Sequence, residues 1–405
     1  MSQPEKIQPY DQASRQGESL LPPGSWLGLL GGGQLGRMFC MAAQSMGYKV
    51  CVLDPAQDGP SAAVADRHIQ ADFIDPVALQ QLADLCTACT TEFENVPSQA
   101  LDFLSKHCIV APRANAVSIA QDRSAEKEFA VSCGLDCAPY CAIASVDDVD
   151  SLDTKLLPGI LKVSRLGYDG KGQARVGSVQ EVREAFERFD SVPCVLEKKL
   201  SLATELSVVV ARGRDGEVVS YPVSENVHIN GILATSTVPA QVNSALAQKA
   251  TEATVKMAQA LDYAGILCVE FFVLDDGRLI VNEMAPRPHN SGHYSIDACH
   301  TSQFEQQARV LAGWPLGSVE QLLPAVMLNL LGDCWFTGHS GNAVNQECAI
   351  EPPWLKVVSH PMAKLHLYGK RDPRPARKMG HVTVLADSTK QAHQVIRQIR
   401  LDLGI

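Results

Sequence analysis

Two glutamates stand near the ends of the apolar stretch CVEFFVLDDGRLIVNE, residues 268–283. Between Glu270 and Glu283 lies Asp276-Gly277, the preferred centre of a two-residue hairpin loop. Pairing outward from that turn matches residue 275 with 278, 274 with 279, and finally Glu270 with Glu283. In this register both carboxylates share one face of the sheet, with Cβ atoms about 4.5–5.5 Å apart. Opposed like charges are destabilising unless something neutralises them. Mg²⁺ would, because this hard cation is held by one or two carboxylates plus substrate phosphates. The plain alternative is a solvated hairpin whose acids point to water; the apolar residues around them speak against it.

KVSRLGYDGKGQ places Lys162 in a strand ahead of a loop with Gly167, Gly170 and Gly172. Such a loop lets backbone N–H groups close over phosphates, with lysines as point charges beside them. The pattern G-x-x-x-x-G-K-[ST] is absent, so this is not a P-loop. A flexible hairpin turn would look the same in isolation. Combined with a metal-type acid pair further on, the signal is more specific. VLEKKL follows, with Glu197 at a strand end and Glu205 beyond it. A strand passing into a short linker offers backbone groups to an adenine edge, and a nearby acid can accept from ribose hydroxyls. Alone, EKK reads as a solvated face.

A third glycine pattern, GLLGGGQLGRM, fits G-x-G-x-x-G at Gly31, Gly33 and Gly36, and the next strand ends at Asp54. That is a dinucleotide-type fingerprint. It supports a rival reading, a nicotinamide-dependent dehydrogenase, which leaves Glu270, Glu283 and the lysine loop without a role. HLYGKRDPRPARKMGH gathers Lys370, Arg371, Arg374, Arg377 and Lys378, a local anion hole or a basic surface loop. His289 and His293 have H-x-x-x-H spacing, but Pro288, Ser291 and Gly292 make this a loop and not a zinc helix.

These groups need rigid elements to hold them. From Trp26 the pattern is strand, glycine loop, helix, strand, and the alternation continues through VALQQLADLC and CTACTTEF, implying a parallel sheet. A short helix and a second helix starting near Asp122 follow, with a domain boundary near Ala120. Strands with glycine-rich turns come next, then a helix at about 243–262, the acid hairpin, and a helix at about 301–312. The last part holds two strand-like runs, AVMLNLL and MGHVTVLA, and a terminal helix.

A chain of 405 residues, 46% hydrophobic and 20% charged, is long enough for two or three domains with real cores. No apolar run suits a membrane span, and residues 1–24 read as a loose polar extension, not a signal peptide. The net charge of −10 speaks against nucleic acid as a partner. The 13 cysteines are scattered; Cys86 and Cys89 form a single C-x-x-C without a second pair, and reduced thiols of a cytoplasmic protein are expected.

The order of Lys162, GYDGKGQ, EKKL, Glu205, Glu270 and NEMAPRPHNSGH resembles the ATP-grasp superfamily. GGGQLGRM, TEFENVP, YDGKGQ and NEMAPRPHNSGHYSIDAC together are similar to one of its families, the 5-(carboxyamino)imidazole ribonucleotide synthases of purine biosynthesis, from about Trp26 to the C-terminus. The resemblance implies an α/β chain of three domains. These are an N-terminal doubly wound, Rossmann-like domain (25–120), an ATP-grasp domain of two subdomains (121–318) and a small C-terminal α+β domain (319–405). It also implies a homodimer. By motif, Arg123 and Lys162 would contact ATP phosphates, and Gly167, Tyr168, Asp169, Gly170, Lys171, Gly172 and Gln173 would close over them. Glu197, Lys198, Lys199 and Leu200 would hold the adenine, with Glu205 and His228 lining the nucleotide pocket. Glu270 and Glu283 would hold Mg²⁺, with Asn282 beside them.

The implied reaction phosphorylates bicarbonate to carboxyphosphate, and the exocyclic amine of 5-aminoimidazole ribonucleotide captures the activated carbon. Arg287, whose planar fork matches a carboxylate-like anion, and Asn290 would hold that intermediate. Lys370 and Arg377 would take the substrate 5′-phosphate, with Tyr168, Lys171, Glu94, Asp297 and, from the first glycine loop, Gln34 around the rest. Two other readings stay open: a related ligase such as formate-dependent glycinamide ribonucleotide transformylase, and a nucleotide sensor that has kept the fold without the reaction.

Overall fold

The alternation from Trp26 onward folds into a five-stranded parallel sheet, ordered Arg67–Ile69, Lys49–Leu53, Trp26–Leu30, Ala88–Thr91, Ile109–Val110. The computed structural model describes residues 20–167, 172–336 and 349–405. The inner strands are almost wholly buried, as expected where helices cover both faces of a parallel sheet. Trp26–Leu30 pairs with strands on either side, so the glycine loop leaves the sheet at its topological switch point. One face of the helix Gln34–Ser45 packs Leu35, Phe39 and Ala43 against Phe304, Ala308 and Leu311 of the helix Gln303–Ala312. The N-terminal unit and the central unit therefore share a core.

A four-stranded antiparallel sheet, ordered Tyr140–Ile143, Cys194–Lys198, Gly159–Val163, Gln173–Val176, carries the lysine strand. The helix Val179–Arg188 covers it through Val182, Ala185 and Phe186. A larger sheet runs Leu279–Ala285, Gly265–Leu274, Leu202–Arg212, Ser224–Ile229, Ile232–Val238, Ala325–Leu331, Lys378–Leu385, Ala363–Leu367, with Val218–Ser220 paired beside Leu202–Arg212. The C-terminal strands thus continue the central sheet through Ile232–Val238 and Ala325–Leu331. Ala363–Leu367 is a third C-terminal strand beyond the two read from the sequence. It is half-exposed, at the sheet edge, which is why its apolar signal is weak. Among the described residues no helix is long and apolar enough to cross a membrane.

The acid hairpin departs from its expected register and then recovers it. Its loop has three residues, 275–277, with Gly277 at φ +81°, and Leu274 donates to the Arg278 carbonyl. Three-residue loops with a left-handed glycine are the next commonest hairpin connection after the two-residue ones. Val273 therefore faces Leu279, not Leu274, and Phe271 faces Val281. A bulge then inserts Asn282, and beyond it Glu270 faces Glu283. The turn is one residue longer than expected and the bulge adds one on the opposite strand, so the two shifts cancel at the glutamates.

Candidate active site

A cleft of about 630 Å³ lies between the small sheet and the large one. Ile160, Lys162 and Gln173 line it from the small sheet, and Glu205, His228, Glu270, Phe272, Asn282 and Glu283 from the large sheet. Arg123, Gly167, Arg287, Asn290 and Glu94 complete it from helix ends and loops. Residues far apart in sequence thus converge on one space. Tyr168, Asp169, Gly170 and Lys171 lie outside the described residues.

The acid pair behaves as opposed like charges should. Burial, with the Glu283 carboxylate opposite, pushes the Glu270 carboxyl up to about 7. A divalent cation would return it to its ionised form. Two further donors suit a cation there. The side-chain oxygens of Asn282 and Asn290 are buried and find no hydrogen-bond partner among the described residues, and both residues line the cleft. Carboxylate and amide oxygens are the hard ligands that Mg²⁺ takes. Burial works against charge on His228, yet the Glu205 carboxylate, 2.8 Å from Nδ1, outweighs it and raises the imidazole pKa.

Glu126, which sequence reasoning passed over, holds the bulge. From the helix Arg123–Ser132 it accepts the Met284 amide, while Val281 donates to the Asp136 carbonyl. In a regular strand the outward amides fall two apart; here they fall three apart because Asn282 is extra. Burial, then the Glu283 charge, pushes Glu126 up to about 8. A carboxyl raised in the folded state contributes stability that is full below its unfolded pKa and is lost as pH rises through its folded pKa. Glu126→Gln keeps the acceptor but removes that proton. The urea midpoint of this variant should fall less between about pH 5 and pH 8 than that of the wild type.

Lys162 does not stand alone. Its Nζ lies 3.0 Å from Glu197, whose other oxygen lies 3.2 Å from Lys127, and all three side chains are at least nine-tenths buried. Burial alone would raise the Glu197 carboxyl, but Lys162 and Lys127 outweigh it and hold it below the usual range. Burial lowers Lys162 despite Glu197, with Arg123 and Lys127 adding repulsion. Two buried cations thus share one buried anion, leaving one positive charge over beside Arg123. A polyphosphate would balance it. Lys127 sits at helical spacing after Asp122, and its sequence signal, AEKEF, is that of a solvated helix face.

Arg287 extends from the loop after Leu279–Ala285. Its Nε donates to Glu94 and its Nη1 to the Pro288 carbonyl, so Glu94 fixes the fork's orientation. The Ser291 amide donates to Nδ1 of His289, leaving the imidazole hydrogen on Nε2, which faces Glu270 at 3.6 Å. Burial, with Arg287 and Lys378 near, keeps His289 well below its ordinary pKa and neutral. His289 and Lys378 both line the cleft; in the sequence the histidine reads as a loop residue and the lysine as one of five neighbouring basic residues.

The first glycine loop is already occupied by the protein's own acids. Glu92 accepts the amides of Gly33 and Gly36, and Asp54 accepts that of Gly32 at 2.7 Å. A Cβ at residue 33 would meet the Glu92 carboxylate, so a larger residue there would displace this acid from the two amides. The helix N-terminus that would receive a dinucleotide pyrophosphate is filled by a carboxylate that burial pushes up to about 7. Glu92→Ala strands two amides and should cost about 1–3 kcal/mol, read as a lower denaturant midpoint. Wild-type protein should show no heat of NAD binding.

Other expected site residues sit outside the cleft lining. Gln34, half-buried, opens the helix Gln34–Ser45. Asp297 pairs with His366 at 2.8 Å. Lys370 donates to the Lys378 carbonyl and Arg377 to that of Asp372. The amides of Lys198 and Lys199 donate to Pro139 and Pro158, and Leu200 follows them half-buried. Gly172 adopts φ +68° just before Gln173.

Three family models match successive stretches of the chain. Residues 25–121 match a ribonucleotide synthetase preATP-grasp domain, 128–304 an ATP-grasp domain, and 325–395 a phosphoribosylaminoimidazole carboxylase C-terminal domain. An N5-carboxyaminoimidazole ribonucleotide synthase of Brucella melitensis is 45% identical over 375 residues, 91% of this chain and 98% of that one. The chain belongs to the N5-carboxyaminoimidazole ribonucleotide synthase family. A Staphylococcus aureus member solved with ADP superposes with a TM-score of 0.86 at 38% identity, covering 95% of this chain and 99% of that one. An Aspergillus clavatus member, solved with ADP and 5-aminoimidazole ribonucleotide, gives 0.83 at 32% identity, covering 94% and 99%. As a member of this synthase family the chain is an ATP-grasp ligase. The α/β fold expected for it, with a doubly wound N-terminal unit, is the one observed.

Proposed function

We propose that the chain carboxylates the exocyclic amine of 5-aminoimidazole ribonucleotide with bicarbonate, consuming ATP and giving N5-carboxyaminoimidazole ribonucleotide, ADP and phosphate. The observation that carries this reading is the surplus buried cation of Lys127, Glu197 and Lys162, of which Lys162 lines one cleft with the facing Glu270 and Glu283, while Lys127 and Glu197 lie behind its lining. That arrangement fits a polyphosphate with Mg²⁺. When bound, Mg²⁺ would be held by Glu270 and Glu283 and would neutralise phosphate charge.

The protein's own contribution is positioning and charge, as phosphoryl transfer requires. Arg123 and Lys162 hold the phosphates under residues 167–173. Glu197 to Leu200 lie against the adenine, and Glu205, braced by His228, takes the ribose. Arg287, oriented by Glu94, and Asn290 hold bicarbonate and the carboxyphosphate formed from it. The substrate amine then displaces phosphate at carbon. Lys370, Arg377 and Lys378 supply charge for the substrate phosphate, with Gln34, Tyr168, Lys171 and Asp297 around the remainder. The enzyme acts in the cytoplasm as a homodimer, and light scattering should give a mass twice the 43.7 kDa of one chain.

ADP release tests the assignment. It should require 5-aminoimidazole ribonucleotide and bicarbonate together, and glycinamide ribonucleotide with formate should give only background. The opposite preference would assign the chain to the transformylase reaction, and no turnover with either pair would favour a nucleotide sensor.

A further inference from the structure

The C-x-x-C that the site does not use is part of a larger thiol cluster. Cys51, Gly28 and Cys89 are register partners on three adjacent strands, so their side-chain positions form one row on one face of the N-terminal sheet. Gly28 leaves the middle of that row open, and the sulfurs fill it. A Cβ there would lie 2.4 Å from Cys89 Sγ and 3.4 Å from Cys86 Sγ. The Cys86 thiol in turn hydrogen-bonds the Cys51 thiol, and Cys108 Sγ lies 3.5 Å from Cys89 Sγ. Four thiols therefore run as a string, Cys51, Cys86, Cys89, Cys108, none of them lining the cleft.

The string has one accessible end. Cys51, Cys86 and Cys89 are buried, whereas Cys108 is half-buried and lies just before the strand Ile109–Val110. Contact with the Cys89 thiol holds Cys108 below the ordinary thiol range, while the same contact raises Cys89. Within the pair Cys89 and Cys108 the reachable sulfur is thus also the one that ionises more readily, the condition for reaction with an oxidant; Cys86, held low by its contacts with Cys51 and Cys89, is buried away from one.

We propose that Cys108 and Cys89 are a hydroperoxide-reactive pair, Cys108 the attacking thiol and Cys89 the resolving one. The Cys108 thiolate attacks the terminal oxygen of the hydroperoxide. The O–O bond breaks, an alcohol or water leaves, and Cys108 becomes a sulfenic acid. Cys89 sulfur then attacks Cys108 sulfur, the S–O bond breaks, and hydroxide leaves with the Cys89 proton as water. Two thiols lose two electrons and two protons, and the peroxide is reduced by two electrons. Closing the sulfurs from 3.5 Å to about 2.05 Å moves Cys108 in the turn after the helix Ser98–Leu104, outside the sheet ladder.

The test is one equivalent of hydrogen peroxide on the reduced full-length protein, followed by thiol blocking and non-reducing peptide mass spectrometry. Two titratable thiols per chain should be lost, a Cys89–Cys108 linked peptide should appear, and dithiothreitol should reverse both. Cys108→Ser should leave Cys89 a free thiol at the same dose. Cys89→Ala should stop at a Cys108 sulfenic acid that dimedone traps. The proposal is overturned if Cys108 passes to sulfinic acid with Cys89 still free, if the link joins other cysteines, or if no thiol is lost.

Discussion

Glu283→Gln lowers ATP turnover by about 10³-fold and leaves the folded chain no less stable than wild type. The two effects come from one cause. Glu283 faces Glu270 across the bulged hairpin, and their repulsion together with burial holds Glu270 up to about 7. Removing one charge relieves that repulsion and removes half of the carboxylate pair that suits a divalent cation. The substitution also breaks the ion pair with Arg123, but at 3.4 Å and with Glu283 40% exposed such a pair is worth little. ATP turnover and a denaturant titration on the same preparation separate the effects. Near-normal turnover would mean that Glu283 holds no metal.

Glu197→Gln has the largest expected effect on stability, about 3–5 kcal/mol, and Lys162→Met a much smaller one. The asymmetry follows from the charge count. Without Glu197, two buried lysines lose their shared anion; without Lys162, Glu197 still has Lys127 at 3.2 Å. Lys162→Met should therefore unfold near the wild-type denaturant midpoint while losing nucleotide binding, since it removes the surplus charge that a polyphosphate would balance. Equal destabilisation by both variants would show that the three residues form a closed structural network, with no charge left for a ligand.

The parts of the site that local chemistry dictates were legible in the sequence. Lys162, Glu270, Glu283 and Arg287 stand in strands and loops whose residue types restrict what they can do, and the cleft gathers all four. The opposed glutamates were legible for a partly wrong reason. The hairpin turn is a residue longer than Asp276-Gly277 suggests, and the bulge at Asn282 cancels the shift, which no turn preference could disclose. Residues whose meaning depends on a distant partner stayed hidden. Lys127 reads as a helix-surface lysine until Glu197 comes within reach, and Glu126 as its exposed neighbour until the Met284 amide arrives from the far strand. The first glycine loop shows the same limit. Its G-x-G-x-x-G is real, but the acid that fills it is Glu92, brought to Gly33 and Gly36 by the parallel pairing of Trp26–Leu30 with Ala88–Thr91. Two residues on, Glu94 goes to Arg287 instead.

The most direct test of the central claim follows oxygen from bicarbonate. Turnover with ATP, 5-aminoimidazole ribonucleotide and ¹⁸O-labelled bicarbonate should transfer one labelled oxygen into the phosphate released, because bicarbonate oxygen attacks the terminal phosphorus and stays on it when the amine takes the carbon. Phosphate free of label, with ADP still formed, would contradict the account: the phosphoryl group would then have gone to another acceptor, and the cleft around Arg287 would not be a bicarbonate site.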